Sequence, residues 1–187
     1  MTLQFPAPKE RDLYLAQQVD QASINSITKQ IIEINSEDKY LKDIAKISGF
    51  TYEPNPINLF CDSYGGYVYQ CLGLLGVIEK SQTPVHTIVT GCAMSCGFLI
   101  AITGHKRFAY DKATFMYHQI SSGAIGKLKD IEEEVIESKR LQKILEEHTL
   151  AKTKMTEKEL EKCYDEKKDW YITPKQALKY GIIDSII

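Results

Sequence analysis

Apolar residues recur along this chain in two spacings, one typical of helices and one typical of strands. Within residues 20–35, the side chains of Ile24, Ile27, Ile31 and Ile34 fall on one face of a helix. Other apolar runs are short and rich in β-branched and aromatic residues, which favours strands. The predicted strands are 12–16, 57–61, 85–89, 107–110 and 114–117, and the further helices are 67–80 and 96–103. This order predicts an α/β fold with crossover connections.

Residues 127–150 have a different character. One stripe at helical spacing is formed by Leu128, Ile131, Val135, Leu141 and Leu145, and the rest is mostly glutamate and lysine. A helix of about 24 residues is about 36 Å long, more than a small domain covers. Because a long helix with one apolar face usually needs a partner, we expect one here. The alternative is a solvated helix that packs along its own domain.

The remaining segments predict connections and one short helix. Residues 36–56 are charged and then contain proline, which indicates a connection with a short helical stretch at 40–44. Near the end of the chain, Thr173 is a predicted N-cap and Pro174 the first helical residue. Gly181 is the predicted helix stop.

Composition indicates an ordinary globular protein. The 187 residues carry 43% hydrophobic side chains and contain no internal repeat, so one domain is predicted over residues 1–187. A net charge of −2 without a basic stripe gives no sign of a nucleic-acid partner. No apolar run approaches the ~18–20 residues of a membrane span. Residues 1–11 lack the apolar core of a secretory signal, so we expect a cytoplasmic protein.

The five cysteines do not indicate a disulfide framework. An odd number in apolar surroundings argues against disulfides. Cys92 and Cys96 are close in sequence, but no second Cys/His pair completes a zinc site. Reduced, buried thiols are therefore predicted, with no metal.

Ser95 is the first candidate for chemistry. It lies among the small residues of Gly91–Gly97, directly before the apolar run 98–102. The N–H groups and positive dipole end of a following helix stabilise negative charge there. Most serines in such places only cap the helix, and the motif alone favours that interpretation. A thiol nucleophile at Cys96, with His118 as its partner, is another alternative.

A serine hydrolase also needs a base, an orienting acid and donors for an oxyanion. His118 follows the predicted strand 114–117, and Gly65–Gly66 form a loop after the predicted strand 57–61. Asp169 is the candidate acid, although Asp165 and Glu166 lie in the same charged run. Spacing alone does not distinguish this set from a chance selection.

The sequence around each candidate follows a family motif. The matching residues are Gly91, Ala93, Ser95 and Gly97, then 116–119, then Asp169 with Ala177, Tyr180, Gly181 and Asp184, then the loop 62–66, then 147–149. These motifs together resemble the proteolytic subunits of Clp proteases, the ClpP family. The resemblance is strong over residues 57–186 and weaker over 12–35.

The resemblance implies a ClpP/crotonase-like α/β fold of repeated β-β-α units. It divides the chain into an irregular arm (1–11), a head (12–120), a protruding handle (about 121–150) and a completion of the head (151–187). Within the handle, residues 123–126 are expected to form strand and turn before the long helix.

The resemblance also implies the serine endopeptidase core of a self-compartmentalising protease, which cleaves peptides or unfolded proteins through an acyl-serine intermediate. Ser95 is then the nucleophile, His118 the general base and Asp169 the orienting acid. The backbone N–H groups of Gly66 and Cys96 form the oxyanion hole.

Assembly follows from the same resemblance. Two stacked seven-membered rings of this chain would join through interdigitating handles around a chamber. No cofactor is expected on the chain, and ATP would be used only by a partner AAA+ unfoldase. Four features depart from the family pattern: the arm 1–11, Asn58, Tyr64 and the long segment 36–56. Docking of the unfoldase is therefore the least supported expectation.

Three other functions compete with this hypothesis. A catalytically silent ring or scaffold subunit would keep the fold without turnover, although such relatives characteristically lose triad residues. A Ser-Lys peptidase of the signal-peptide peptidase type would need a lysine base and usually a membrane anchor. An acyl-CoA hydratase of the wider crotonase-like fold would use oxyanion donors without this triad.

Overall fold

One mixed β-sheet organises the fold in the computed structural model, which describes residues 10–187, so most of the predicted arm 1–11 lies outside the described residues. The strands are β1 (Asp12–Leu15), β2 (Ile57–Ser63), β3 (Val85–Met94), β4 (Lys106–Ala109), β5 (Thr114–Tyr117), β6 (Trp170–Ile172) and β7 (Ser185–Ile186). The helices are α1 (Gln21–Ile47), α2 (Val68–Lys80), α3 (Cys96–Thr103), α4 (Leu128–Lys152), α5 (Glu157–Asp165) and α6 (Pro174–Lys179). This architecture confirms the predicted α/β class.

Strand β3 changes its neighbour along its length. Its first half, His86–Val89, pairs in parallel with β4, and its second half, Cys92–Met94, pairs in parallel with β5. On its other edge it pairs with β2, beyond which lies β1. β7 adds to β4, and β6 runs antiparallel to β5. Because parallel strands end at one edge of a sheet, the segments that follow β2, β3 and β5 lie together.

The core is shared by the sheet and the helices α1 to α3. Every residue of α3 is buried, which explains its uninterrupted apolar sequence. α1 buries the predicted isoleucine stripe at Ile24, Ile27, Ile31 and Ile34. The boundaries of α2 and α3 confirm the predicted helices within one residue.

The prediction that residues 36–56 form a connection is wrong over its first half, although the helical stretch predicted at 40–44 is confirmed as part of α1. α1 continues without interruption to Ile47. The charged residues of this segment are adequate helix formers, and no glycine or proline occurs between Ser36 and Gly49. Only the residues after Ile47 therefore make the connection to β2.

Asp38 attaches this extension of α1 to the start of the sheet. Its carboxylate accepts hydrogen bonds from Arg11 at 2.9 and 2.6 Å, from the Tyr52 hydroxyl at 2.6 Å and from Thr83 Oγ1 at 2.5 Å. Asp38 is only 4% exposed, so its charge depends on these donors. Burial raises the pKa of Asp38, but the donors outweigh burial and the net pKa lies below its ordinary value.

α4 confirms the predicted long helix, but its apolar stripe is buried only near its C-terminal end. Leu141, Leu145 and Thr149 are buried, whereas Leu128 is 75% and Ile136 66% exposed. The first half of α4 thus presents apolar side chains to solvent. No helix within residues 10–187 is long and apolar enough to cross a membrane.

Two segments differ from the predictions in opposite ways. The expected strand at 123–126 is absent, because the backbone between Tyr117 and Leu128 finds no strand partner within the described chain. Helix α5 has no counterpart in the predictions. Its sequence signal is the capping box in which Thr156 and Glu159 bond each other's backbone N–H groups.

The last helix follows the predictions closely. Thr173 caps α6 through a hydrogen bond to the N–H of Gln176, and Pro174 is its first residue. Gly181 has a φ of 64°, the left-handed conformation that ends helices.

We expect Asp38→Asn to lower the free energy of unfolding by about 3 kcal/mol, because the partly buried Arg11 guanidinium loses its counter-charge. Chemical denaturation measures this difference. Because its folded-state pKa is lowered, Asp38 stabilises the wild type above the ordinary aspartate pKa of about 3.9, and this stabilisation is lost as the pH falls through the folded-state value.

Asp43→Asn, on the exposed surface of the same helix, is the matched control. We expect it to change the free energy of unfolding by less than about 0.5 kcal/mol. Equal stabilities of the two variants would contradict the role of Asp38.

Candidate active site

Ser95 occupies the sharp turn between β3 and α3. Its φ and ψ are 53° and −122°, a conformation that is strained for a residue with a side chain. It stands at the N-cap position of α3, but its side chain makes no capping hydrogen bond. Its backbone N–H instead donates to the Met116 carbonyl at 2.9 Å. The capping interpretation is therefore wrong, and the hydroxyl is left available for other contacts.

His118 and Asp169 are brought together by the pairing of β5 with β6. His118 directly follows β5, Asp169 directly precedes β6, and Tyr117 lies opposite Trp170 in this antiparallel pair. His118 Nδ1 lies 3.5 Å from Asp169 Oδ1. The distance is long for a strong hydrogen bond but suits a carboxylate that orients the ring.

The two competing carboxylates lie elsewhere. Glu166 is within 4 Å of Lys162 and Lys168. Asp165 borders a separate surface pocket between α4 and α5. Of the three acids in this charged run, the structure places Asp169 beside His118.

Ser95 and His118 meet in a small pocket of about 20 Å³. Apolar side chains that include Leu99 and Leu145 line the same pocket. Within residues 10–187, no hydrogen bond joins the Ser95 hydroxyl to the His118 ring. Such contacts are often loose without substrate and tighten when it binds. The arrangement therefore places a hydroxyl near an imidazole whose far nitrogen faces a carboxylate.

The glycine loop lies directly against the serine. A side chain on Gly65 would come within 2.7 Å of Ser95 Cβ and 2.8 Å of the Met94 carbonyl oxygen. Gly65 also has a φ of 101°, which glycine adopts readily. Val19 holds the loop through backbone hydrogen bonds to Gly65 and Tyr67, both of 2.8 Å. Glycine is thus required here by close approach and by backbone conformation together.

Ser63 lies in the matched loop 62–66, but the sequence analysis gave it no role of its own. Its hydroxyl donates to the Gln17 carbonyl at 2.6 Å and accepts the Gly65 N–H at 3.2 Å. It thereby joins the glycine loop to the end of β1. Its signal in the sequence is its place in the loop motif, two residues before Gly65.

Two backbone N–H groups near Ser95 are candidate donors to an anion. Within residues 10–187, the N–H groups of Gly66 and Cys96 donate to no backbone carbonyl outside the helices and strands. The Cys96 thiol bonds the Gly66 carbonyl at 3.3 Å and so connects the two residues. The N–H of Cys96 is also the first of α3, at the positive end of the helix dipole. Such donors can stabilise an oxyanion.

The cysteines are all buried and free, which confirms the prediction of reduced thiols. Burial raises the pKa of Cys61 to about 12. Cys96 is only 2% exposed, and its thiol is engaged by Gly66. Within residues 10–187, no group of three or more His, Cys, Asp or Glu side chains could hold a metal ion.

A sequence profile of Clp proteases matches residues 6–187. The chain belongs to the Clp protease family. This membership confirms the resemblance drawn from the motifs and the ClpP-like fold expected from it. The match covers nearly the whole chain, so it includes the sheet, the Ser95 turn and the long helix.

Named relatives show the same extent of similarity. An ATP-dependent Clp protease proteolytic subunit of Deinococcus radiodurans is 28% identical over 181 residues, which are 96% of this chain and 81% of that protein. Subunit 1 of Prochlorococcus marinus is 31% identical over 182 residues, with 96% and 84% covered. Subunit 2 of a Synechococcus species is 31% identical over 181 residues, again with 96% and 84% covered.

We expect Gly65→Ala to disturb the Ser95 turn, because its methyl group meets Ser95 Cβ and the Met94 carbonyl. The rate at which a fluorophosphonate labels Ser95 should fall by at least about tenfold. Mass spectrometry of the labelled chain over time measures this rate.

Gly76→Ala is the matched control, because a methyl group there meets nothing within 4 Å. In the interior of α2 it should stabilise the fold by about 0.5–1 kcal/mol and leave labelling unchanged. Labelling of Gly65→Ala at the wild-type rate would show that the loop does not constrain Ser95.

Proposed function

We propose that this chain is the serine peptidase core of a Clp-type protease, with Ser95, His118 and Asp169 as its catalytic residues. The strained Ser95 turn carries the proposal, because it presents a hydroxyl without a capping role beside the backbone N–H of Cys96 and close to the glycine loop that contains Gly66. The 3.5 Å contact between His118 and Asp169 supplies a base and its orienting acid at the neighbouring strand end.

The proposed reaction proceeds in two steps. Ser95 Oγ attacks the peptide carbonyl carbon while His118 Nε2 takes the hydroxyl proton. The carbonyl oxygen becomes an oxyanion held by the N–H groups of Gly66 and Cys96. His118 then gives its proton to the leaving amine, and an acyl-serine remains. His118 next takes a proton from water, which attacks the ester carbon; His118 then returns this proton to Ser95 Oγ as the carboxylic acid end of the peptide leaves.

Asp169 acts through His118 in this scheme. Its carboxylate faces Nδ1, so it favours the tautomer that carries the Nδ1 proton and leaves Nε2 free as the base. It also stabilises the imidazolium that forms after proton transfer. Because Asp169 is 56% exposed, its contribution depends more on orientation than on burial.

Peptides and unfolded chains are the proposed substrates, because such a substrate can place an extended segment across the site. We place the chain in a homo-oligomer of two stacked heptameric rings in the cytoplasm. The exposed apolar residues in the first half of α4 support assembly, because such a surface is usually covered by a partner. The chain itself needs no cofactor, and ATP hydrolysis belongs to an AAA+ unfoldase that feeds the chamber.

We expect Ser95→Ala to lower peptide hydrolysis by about 10³-fold or more, because no other group supplies the nucleophile. A short fluorogenic peptide measures the activity, and a fluorophosphonate should label the wild type at Ser95 alone. Cys96→Ser is the matched comparison, because it keeps the backbone N–H and removes the neighbouring thiol.

Cys96→Ser should stay within about tenfold of wild-type activity, since serine keeps the backbone N–H and a side-chain donor for the Gly66 carbonyl. Full activity of Ser95→Ala would refute the proposed nucleophile. Loss of all activity in Cys96→Ser with normal assembly would instead favour the thiol alternative. A wild-type ring that is neither active nor labelled would support a silent scaffold.

We expect Asp169→Asn to reduce kcat by about 10²–10⁴-fold, because an amide favours the wrong tautomer of His118. Asp165→Asn makes the same change in the same charged run and should leave kcat unchanged. Peptide hydrolysis at constant pH compares the two. An equal effect of both substitutions would remove the orienting role from Asp169.

A further inference from the structure

Gln142 on α4 connects the long helix to the segment that carries His118. Its side-chain Oε1 accepts the backbone N–H of Ile120 at 2.8 Å. Ile120 is two residues beyond His118 in a stretch without regular secondary structure. Gln142 also borders the pocket that contains Ser95 and His118. The strand ladder ends at Tyr117, so this hydrogen bond is a restraint on the backbone just after the base.

The orientation of the Gln142 amide is itself fixed. Its Nε2 donates to Glu146 Oε1 at 2.7 Å, one helical turn later. This contact directs the amide nitrogen along the helix and leaves Oε1 to face Ile120. A glutamine without such a partner could turn its amide and present a donor to the Ile120 N–H. Glu146 thus determines which end of the amide meets the backbone.

The same pair of residues lies near the other side of His118. Tyr117, the residue before His118, is buried and borders the same pocket as Gln142. Burial, and then the nearby charge of Glu146, raise the pKa of the Tyr117 hydroxyl. A contact between Ser122 Oγ and Ser138 Oγ at 3.1 Å attaches the segment to α4 a second time. The segment after His118 is therefore attached to α4 at Ile120 and at Ser122, and the Tyr117 side chain before His118 lies beside the same helix.

We infer that Gln142 is a positioning residue for His118, which it holds within reach of Ser95 through the Ile120 N–H. Glu146 supports this role by fixing the amide. The inference rests on the proposed function, in which His118 is the base. It explains why a polar side chain stands among the apolar residues of this pocket.

Gln142→Met tests the inference, because methionine keeps the length and helix propensity but removes the acceptor. The full-length assembled protein should lose about tenfold or more in kcat on a short fluorogenic peptide, since small displacements of a base are costly. KM should stay within about twofold, because no substrate contact is removed. Lys143→Met, exposed on the same helix, is the control and should keep the wild-type kcat.

An exchange of the two partners provides the rescue. In Gln142→Glu combined with Glu146→Gln, a carboxylate oxygen faces the Ile120 N–H and the new amide donates to it. This double variant should recover kcat to within about threefold of the wild type, because both hydrogen bonds are restored. If Gln142 only filled space in the pocket, Gln142→Met would have the same kcat as the wild type.

Hydrogen–deuterium exchange gives a readout that does not depend on peptidase activity. Exchange of residues 117–122 should accelerate in Gln142→Met and return towards the wild-type rate in the double variant. Wild-type kcat in Gln142→Met, no recovery in the double variant, or unchanged exchange would each overturn the inference. A wild type that is unlabelled at Ser95 would instead refute the proposed function, while exchange still decides the role of Gln142.

Discussion

The site depends on the way β3 divides its hydrogen bonds between two neighbours. If β4 continued beside β3 to its end, β5 could not reach Met94, and the segment after β5 would lie away from Ser95. Because β4 stops early, the last residues of β3 pair with β5. Ser95 then bonds the Met116 carbonyl, which fixes the relative height of the two strand ends. The distance between hydroxyl and imidazole is thus set by main-chain pairing.

Side chains complete what this pairing begins. Glycine at position 65 allows the loop after β2 to lie against Ser95 Cβ, which places the Gly66 N–H near that of Cys96. The antiparallel β6 brings Asp169 to Nδ1 of His118. Each contribution arrives from a different part of the chain. The site therefore exists only when the sheet is complete.

Local patterns in the sequence predicted much of this arrangement. The isoleucine stripe of α1, the apolar run of α3 and the cap at Thr173 depend on neighbouring residues, so they are readable without a structure. The extension of α1 to Ile47 is readable only in part, because its residues are adequate helix formers but the donors that hold the buried Asp38 are distant in the sequence. The motif at Ser95 favoured a cap, since sequence does not record backbone angles. Gln142 carries no motif, and only its contact with Ile120 reveals it.

The positive φ of Ser95 lowers the stability of the fold at the same residue that presents the hydroxyl. A side chain in this conformation costs about 1–3 kcal/mol, and glycine avoids most of that strain. A random change to glycine there would therefore produce a firmer fold that has lost its hydroxyl. With Ser95 as the proposed nucleophile, screening this protein for thermal tolerance alone would reward inactive molecules. Any effort to engineer a more robust enzyme must keep the strained turn and seek its gains elsewhere, such as in the helix glycines of α2.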